Sequence, residues 1–280
     1  IEAVQNARAA YLETGKSSEF ASWVKTLDFV DISTAELEND VYTAAENQLA
    51  QNKSDAALVA LVDYINTYPN GLHATKAYFN VAEIYFGKDN VNEAKTNYEN
   101  VLKRGKSEYS EPSLMRLSNM YLTANDEVNA KRVLTQLETE ASNDSNKLFA
   151  QSNLMKLAFD ADDMTTAAKY ANSLAANTKV DKRIKADATA ISARVAFVNK
   201  DTATARKLYE QLNGIATGEL KAEALYYDAY FKNADKKYDA SNKVVEKLVK
   251  EYAAYKYYNA KGLVVLAKNF YQLKDSYQAT

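Results

Sequence analysis

The chain has 280 residues, 47% hydrophobic and 26% charged, an ordinary globular mix. Its formal net charge of −2, with acids and bases interspersed, shows no basic stripe and sets nucleic acid aside, and the absence of Cys excludes disulfide and thiolate chemistry. Seven Gly and two Pro are too few for a turn-rich sheet fold, so helices with short connections are expected.

Glu2 to Thr14 reads as a helix with Val4, Ala7, Tyr11 and Leu12 on one side. Gly15 fits its stop, and Ser17 or Ser18 is expected to cap a second helix carrying Phe20, Trp23, Val24 and Leu27. This hairpin, residues 1–34, reads as a degenerate or capping unit ahead of a repeat array over 35–280 whose last repeat is incomplete. Asp31-Ile32-Ser33-Thr34 opens that array.

Residues 77–102 show its unit most clearly. Tyr78, Val81, Ala82 and Tyr85 fall on one helical stripe, Gly87-Lys88-Asp89-Asn90 breaks the pattern, and Ala94, Tyr98, Val101 and Leu102 form a second stripe. One such hairpin cannot bury both stripes alone. A small residue opens each second helix: Ala57, Ala94, Ala130, Ala167, Ala205, Ala240 and Ala279, with spacings of 37, 36, 37, 38, 35 and 39. Another position, twelve earlier, holds Ala45, Ala82, Ser118, Met155 and Ala193; four after the anchor stand Leu61, Tyr98, Leu134, Tyr209 and Val244. Small positions let helices approach closely and large ones fill the gap to the next pair. In the turns, Asp89, Asp162 and Asp235 precede their anchors by five residues, and Asp126, Asp201 and Asp275 by four. They are expected to cap helix N-termini and not to hold metal, since they do not converge.

The last first-helix, about Tyr258 to Leu273, carries Leu263, Leu266, Ala267 and Phe270 on one stripe. Asp275-Ser276 resembles an intra-repeat turn and Ala279 an anchor, so the natural chain is expected to continue past Thr280. The apolar run Leu263-Val264-Val265-Leu266-Ala267 is far too short to span a bilayer. The start at Ile1, without a signal-like segment, suits a mature form or a fragment.

His73, the single His, has no Cys or second His to complete a metal site and reads as a surface residue. Gly214 and Gly218 sit in one inter-repeat loop and form no phosphate cradle. No nucleophile turn, metal set or cofactor motif is found, and no catalytic residue is assigned. The 21 Tyr cluster at Tyr226-Tyr227, Tyr230 and Tyr252 to Tyr258. They serve repeat packing or form an aromatic patch for peptide or glycan.

The stripe Tyr78, Val81, Ala82, Tyr85, Ala94, Tyr98, with Pro69 ending a repeat, resembles the tetratricopeptide repeat, and the likeness covers nearly all of 35–280. The resemblance implies an all-α fold, a right-handed superhelical solenoid of antiparallel helix pairs, and a non-enzymatic scaffold that binds a protein or peptide partner in a concave groove lined by the first helices. On that groove it implies Phe79, Glu83, Phe86, Met115, Asn119, Leu122, Lys156, Phe159, Arg194, Phe197, Tyr226, Tyr230, Lys268 and Tyr271. The carboxylate-clamping Lys, Asn and Arg set of the chaperone-binding subgroup is matched only by Asn119. The stretch Asp63-Tyr64-Ile65-Asn66-Thr67-Tyr68-Pro69-Asn70-Gly71, followed by Ala74, Ala77, Tyr78, Ala82 and Glu83, is similar to periplasmic and outer-membrane-associated repeat proteins of Gram-negative bacteria, and the whole chain resembles large Bacteroidetes repeat proteins. That implies a place in an envelope complex, periplasmic or associated with the outer membrane through parts outside this sequence. The alternative is a glycan-binding envelope lipoprotein of the starch-utilisation type, against which stand one Trp and the lack of long loops.

Overall fold

The computed structural model describes residues 2–14, 16–27 and 32–275. Gly15, Asp31, Ser276 and Ala279 lie outside the described residues, as do the side chains of Leu12, Ser17 and Ser18. The described residues are helices, turns and short connections without a strand, and they divide into two compact units, 1–142 and 143–280.

The first unit holds α1 (Glu2–Glu13), α2 (Ser17–Val24), α3 (Thr34–Ala50), α4 (Ser54–Thr67), α5 (Ala74–Gly87), α6 (Val91–Leu102), α7 (Ser110–Thr123) and α8 (Glu127–Glu140). The second holds α9 (Asp144–Asp160), α10 (Met164–Ala176), α11 (Lys182–Val198), α12 (Thr202–Ile215), α13 (Gly218–Ala234), α14 (Tyr238–Glu251) and α15 (Lys256–Gln272). Within each unit, helices consecutive in the chain pack side by side as antiparallel pairs.

Each pair from α3–α4 to α13–α14 is closed by the same turn. The residue five before the second-helix anchor has positive φ: Asn52, Asp89, Asn125, Asp162, Lys200 and Lys236, all between 53° and 64°. The next residue sends its N–H back five residues, as Asn90 does to the Tyr85 carbonyl at 2.9 Å and Asp201 to Ala196 at 2.9 Å. This is the Schellman closure, which satisfies carbonyls left over at the helix end. Lys274 (φ 61°) and Asp275, whose N–H reaches the Phe270 carbonyl at 3.0 Å, repeat it after α15.

The turn separates two roles that the sequence reading had merged. Asp126 and Asp201 cap as expected, accepting from the N–H of Asn129 and Thr204 at 3.1 Å each. Asp89 and Asp162 do not cap; they take the left-handed position, and Asn90 and Asp163 beside them cap instead. Asp235 ends α13 and pairs with Arg206. The N-cap position of α2 is Lys16, with no side-chain hydrogen bond, so neither Ser17 nor Ser18 stands there. Ser33 opens α3 through a reciprocal capping box with Glu36.

Ala57, Ala94, Ala130, Ala167 and Ala205 are buried where expected, and so are Ala45, Ala82, Ser118, Met155 and Ala193 twelve residues earlier. The anchor of α14 is Ser241 and not Ala240. Ser241 is fully buried, and its hydroxyl donates to the Ala229 carbonyl at 2.8 Å, twelve residues back. Ala240 is only half-buried, and the large residue four after the anchor is Val245 in place of Val244. The buried anchors thus recur every 36 to 38 residues. Gly214 lies inside α12 and Gly218 begins α13, so the loop between them is Ala216-Thr217 alone.

The N-terminal hairpin is fastened to α3 by Arg8, whose Nε and a terminal nitrogen donate to the Asp40 carboxylate at 2.6 and 2.7 Å. Val4, Phe20, Ala21 and Val24 bury against Leu37 and Val41. Gly71 is needed in the turn before α5, because a Cβ there would stand 2.4 Å from Glu38 Oε1 and 2.6 Å from the Tyr64 hydroxyl.

Candidate binding surface on the first helices

A ladder of charged pairs joins successive first helices. Its upper residue stands one position after the buried small residue, and its lower residue stands six before the small residue of the next first helix. In the first unit Glu46 of α3 meets Lys76 of α5. In the second, Lys156 of α9 meets Asp187 of α11 at 2.6 Å, and Arg194 of α11 meets Glu223 of α13. Glu83 of α5 meets Arg116 of α7, two bonds of 3.1 Å, one turn further along; Pro112 occupies the usual lower position there.

Three groove residues expected from the resemblance, Glu83, Lys156 and Arg194, are therefore rungs with partners in their own unit. The expected aromatic residues lean on the same cations. The Arg116 guanidinium lies 4.1 Å from the Phe86 ring centre, and that of Arg194 lies 5.5 Å from Phe159. Phe79 packs against Tyr109 and Tyr98, with ring centres 5.2 and 6.2 Å apart. Asn119 is exposed and bonds the Met115 carbonyl of its own helix at 3.0 Å; Met115 and Leu122 are half-buried. Lys156, Phe159 and Arg194 come together with Asp187, Ile191 and Leu220 around a shallow cleft of about 190 Å³.

The strongest convergence is on α11, α13 and α15. Glu223, 1% exposed, accepts from Arg194 (Nε to Oε1, 2.8 Å), from the Tyr209 hydroxyl at 3.0 Å and from the Tyr258 hydroxyl at 2.9 Å. A buried carboxylate is tolerated only with such complete pairing. Its hydrogen bond holds the Arg194 pKa above its ordinary value, while burial, reinforced by the carboxylate, pushes both tyrosines up.

On this base sits a set of rings. Phe197 meets Tyr227 edge-on at 5.0 Å and Tyr230 at 5.7 Å; Tyr227 stacks on Tyr209 at 3.9 Å; Tyr226 lies 4.9 Å from Tyr227 and 6.3 Å from Tyr230. Lys261 of α15 places its ammonium 4.5, 5.8 and 5.0 Å from the ring centres of Tyr226, Tyr227 and Tyr257. Burial raises the Tyr226 pKa, and Lys261 acts against that shift. Tyr230 and Tyr257 are 37% and 64% exposed, so the set has a fixed floor and an open rim. Phe197, Tyr226 and Tyr230 are thus brought together, while Lys268 and Tyr271 lie exposed on α15.

The sequence reading missed Arg116, Glu223 and Lys261. For Glu223 and Lys261 the signal was a charged residue six before the small one, as at Lys76 and Asp187; Arg116 stands off that position and carried no such signal. His73, expected at the surface, is half-buried and has ring and hydrogen-bond partners. Its ring stacks on Tyr42 at 4.3 Å and 9°, Nε2 lies 2.6 Å from Asn39 Oδ1, and the His73 backbone N–H donates to the Tyr64 hydroxyl at 3.0 Å. Among the described residues no cluster of three or more His, Cys, Asp or Glu is placed to hold a metal ion, and no helix is long and apolar enough to cross a membrane.

No protein-family model matches the chain, and no curated protein matches it. Solved structures do. YrrB, described as a TPR protein with an unusual peptide-binding site, is 15% identical over 63% of this chain and 84% of its own, with a TM-score of 0.46. A tetratricopeptide repeat protein from Parabacteroides merdae is 12% identical over 94% and 98%, with a TM-score of 0.39. The apo quorum sensor NprR from B. thuringiensis is 18% identical over 97% and 84%, with a TM-score of 0.45. With its helix pairs, its buried small anchors and their period of 36 to 38 residues, the chain is an all-α array of repeated antiparallel helix pairs.

Proposed function

We propose that this chain is a non-enzymatic scaffold that holds a segment of a partner protein against the first-helix face of its second unit. The observation that carries this reading is the aromatic surface of Phe197, Tyr226, Tyr227, Tyr230 and Tyr257, whose floor is locked by Glu223. Rings held in place before binding lose little entropy when a partner arrives, and Tyr presents a large contact area with few rotatable bonds. The mixture of rings and charged rungs suits an extended or helical protein segment. The setting we propose is a bacterial envelope complex, periplasmic or associated with the outer membrane; it rests on the likeness of the Asp63–Gly71 stretch and of the whole chain to envelope repeat proteins.

Selection of a displayed random-peptide library on the purified protein tests the binding reading. Enriched peptides should lose most of their affinity for Tyr230→Ala and Tyr257→Ala proteins whose melting curves match the parent. Failure of any peptide to enrich, with oligosaccharides binding instead, would replace this reading with the glycan-binding one.

A further inference from the structure

Within each unit the rungs between first helices pair opposite charges, in one case with the lower residue shifted to Arg116, and the rung between α13 and α15 departs from this. Glu46 meets Lys76, Lys156 meets Asp187, and Arg194 meets Glu223, each a pair of opposite charges. The next rung joins the residue after Ala229, which is Tyr230, to the residue six before Ala267, which is Lys261. Lys261 thus has the ladder position and the ladder charge, but tyrosine stands where its carboxylate belongs. Among the described residues no carboxylate lies within 4.0 Å of its ammonium. The helix that carries it supplies none either: α15 has Lys256, Lys261 and Lys268 and no Asp or Glu.

The rings of Tyr226, Tyr227 and Tyr257 cover part of the ammonium, and Tyr257 Oη is 3.5 Å from Nζ. A ring face attracts the cation without neutralising it. The exposed ring of Tyr257 lies beside it, and Tyr230, 37% exposed, packs against Tyr226 and Tyr227 and extends that apolar contact surface. An ammonium fixed between aromatic walls complements an anion that brings apolar neighbours with it.

Building on the proposed peptide-binding role, we infer that Lys261 receives an Asp or Glu side chain of the bound segment, with apolar residues beside that acid resting on Tyr230 and Tyr257. The partner's carboxylate completes the rung that the chain leaves open. The occupant is an acidic, apolar-flanked protein segment, and its internal side chain supplies the charge.

The test uses the full chain and a random-peptide library with blocked ends, selected in parallel on the parent, Lys261→Met and Lys261→Glu. Lys261→Met keeps the apolar stem, so it isolates the charge. Peptides from the parent should be enriched in Asp or Glu beside apolar residues. A synthetic winner should bind Lys261→Met roughly tenfold or more weakly, the loss expected for a charge-assisted hydrogen bond. Lys261→Glu should select Lys or Arg in place of the acid. Circular dichroism melts of the three proteins serve as the folding check. Peptides that enrich without acidic bias and still depend on Tyr257 would overturn this inference and leave the scaffold reading standing. Equal binding to parent and Lys261→Met would also overturn it. Absence of any enrichment would overturn both.

Discussion

Arg194 and Glu223 form a two-pronged pair between α11 and α13, with the Nε–Oε1 bond at 2.8 Å and the carboxylate all but sealed from solvent. The same carboxylate accepts from tyrosines on α12 and α15, so one side chain ties four helices together.

Glu223→Ala is therefore expected to destabilise the second unit by about 3–5 kcal/mol, because it strands a guanidinium and two buried hydroxyls. Glu223→Gln keeps the shape but loses the charge and leaves an amide N–H₂ facing donors, so it should lie between Ala and parent. Urea unfolding midpoints read both. A loss below about 1 kcal/mol for Glu223→Ala would mean that water replaces the network at little cost.

The register of α14 gives a sharper comparison. Ser241 is enclosed against the Ala229 carbonyl, while Ala240 is half-buried. Ala240→Glu should change stability by no more than about 0.5 kcal/mol, as surface substitutions do. Ser241→Leu should cost about 1–3 kcal/mol or more by overpacking the helix contact. Thermal melts of the pair decide it, and reversed sensitivities would restore Ala240 as the anchor.

These two positions also mark where the sequence was legible. The helix pairs could be read because buried small residues recur while the turns between them vary little. Ala57, Ala94, Ala130, Ala167 and Ala205 all landed in the interior. At Ala240-Ser241 and Val244-Val245 adjacent residues are small alike or identical, so a periodicity of size cannot choose between them. The structure chooses through the Ser241 hydroxyl, a contact with a residue on another helix. The ladder was hidden for a related reason. Arg194 and Glu223 are 29 positions apart, and one residue of register error turns a helix face by about 100°. Read singly, Glu83, Lys156 and Arg194 look like groove charges; only their partners make them rungs.

The repeated left-handed turn leads to a stabilising prediction. Asn or Asp fills it at residues 52, 89, 125 and 162, but Lys fills it at 200, 236 and 274. Short polar side chains tolerate positive φ better than long ones. Lys200→Asn and Lys236→Asn should each raise stability by roughly 0.5–1 kcal/mol, nearly additively because the turns are separate. Differential scanning calorimetry would show the gain. A drop in both variants would mean that the lysine stems make contacts worth more than the strain.

The last prediction concerns alkaline pH. Tyr42, Tyr64, Tyr98, Tyr209 and Tyr258 have pKa values above their ordinary position, chiefly through burial, and Tyr121 is pushed up to about 12 for the same reason. Carboxylates reinforce the shift, as Glu83 does for Tyr98, Glu99 for Tyr121 and Glu223 for Tyr258. In the unfolded chain these phenols titrate near 10. Between that value and the folded one, the native state holds more protons than the unfolded state, so stability falls as pH rises. Their contribution is fully present below about pH 10 and is lost through the raised pKa values. Each such tyrosine adds up to about 1.4 kcal/mol of loss per pH unit in that window. Tyrosinate absorbance should thus resolve a late class made up of these buried phenols. The late class should ionise only together with loss of helical circular dichroism. If the tyrosines titrate as one class near pH 10 with the helices intact, the buried hydroxyl network does not hold in solution.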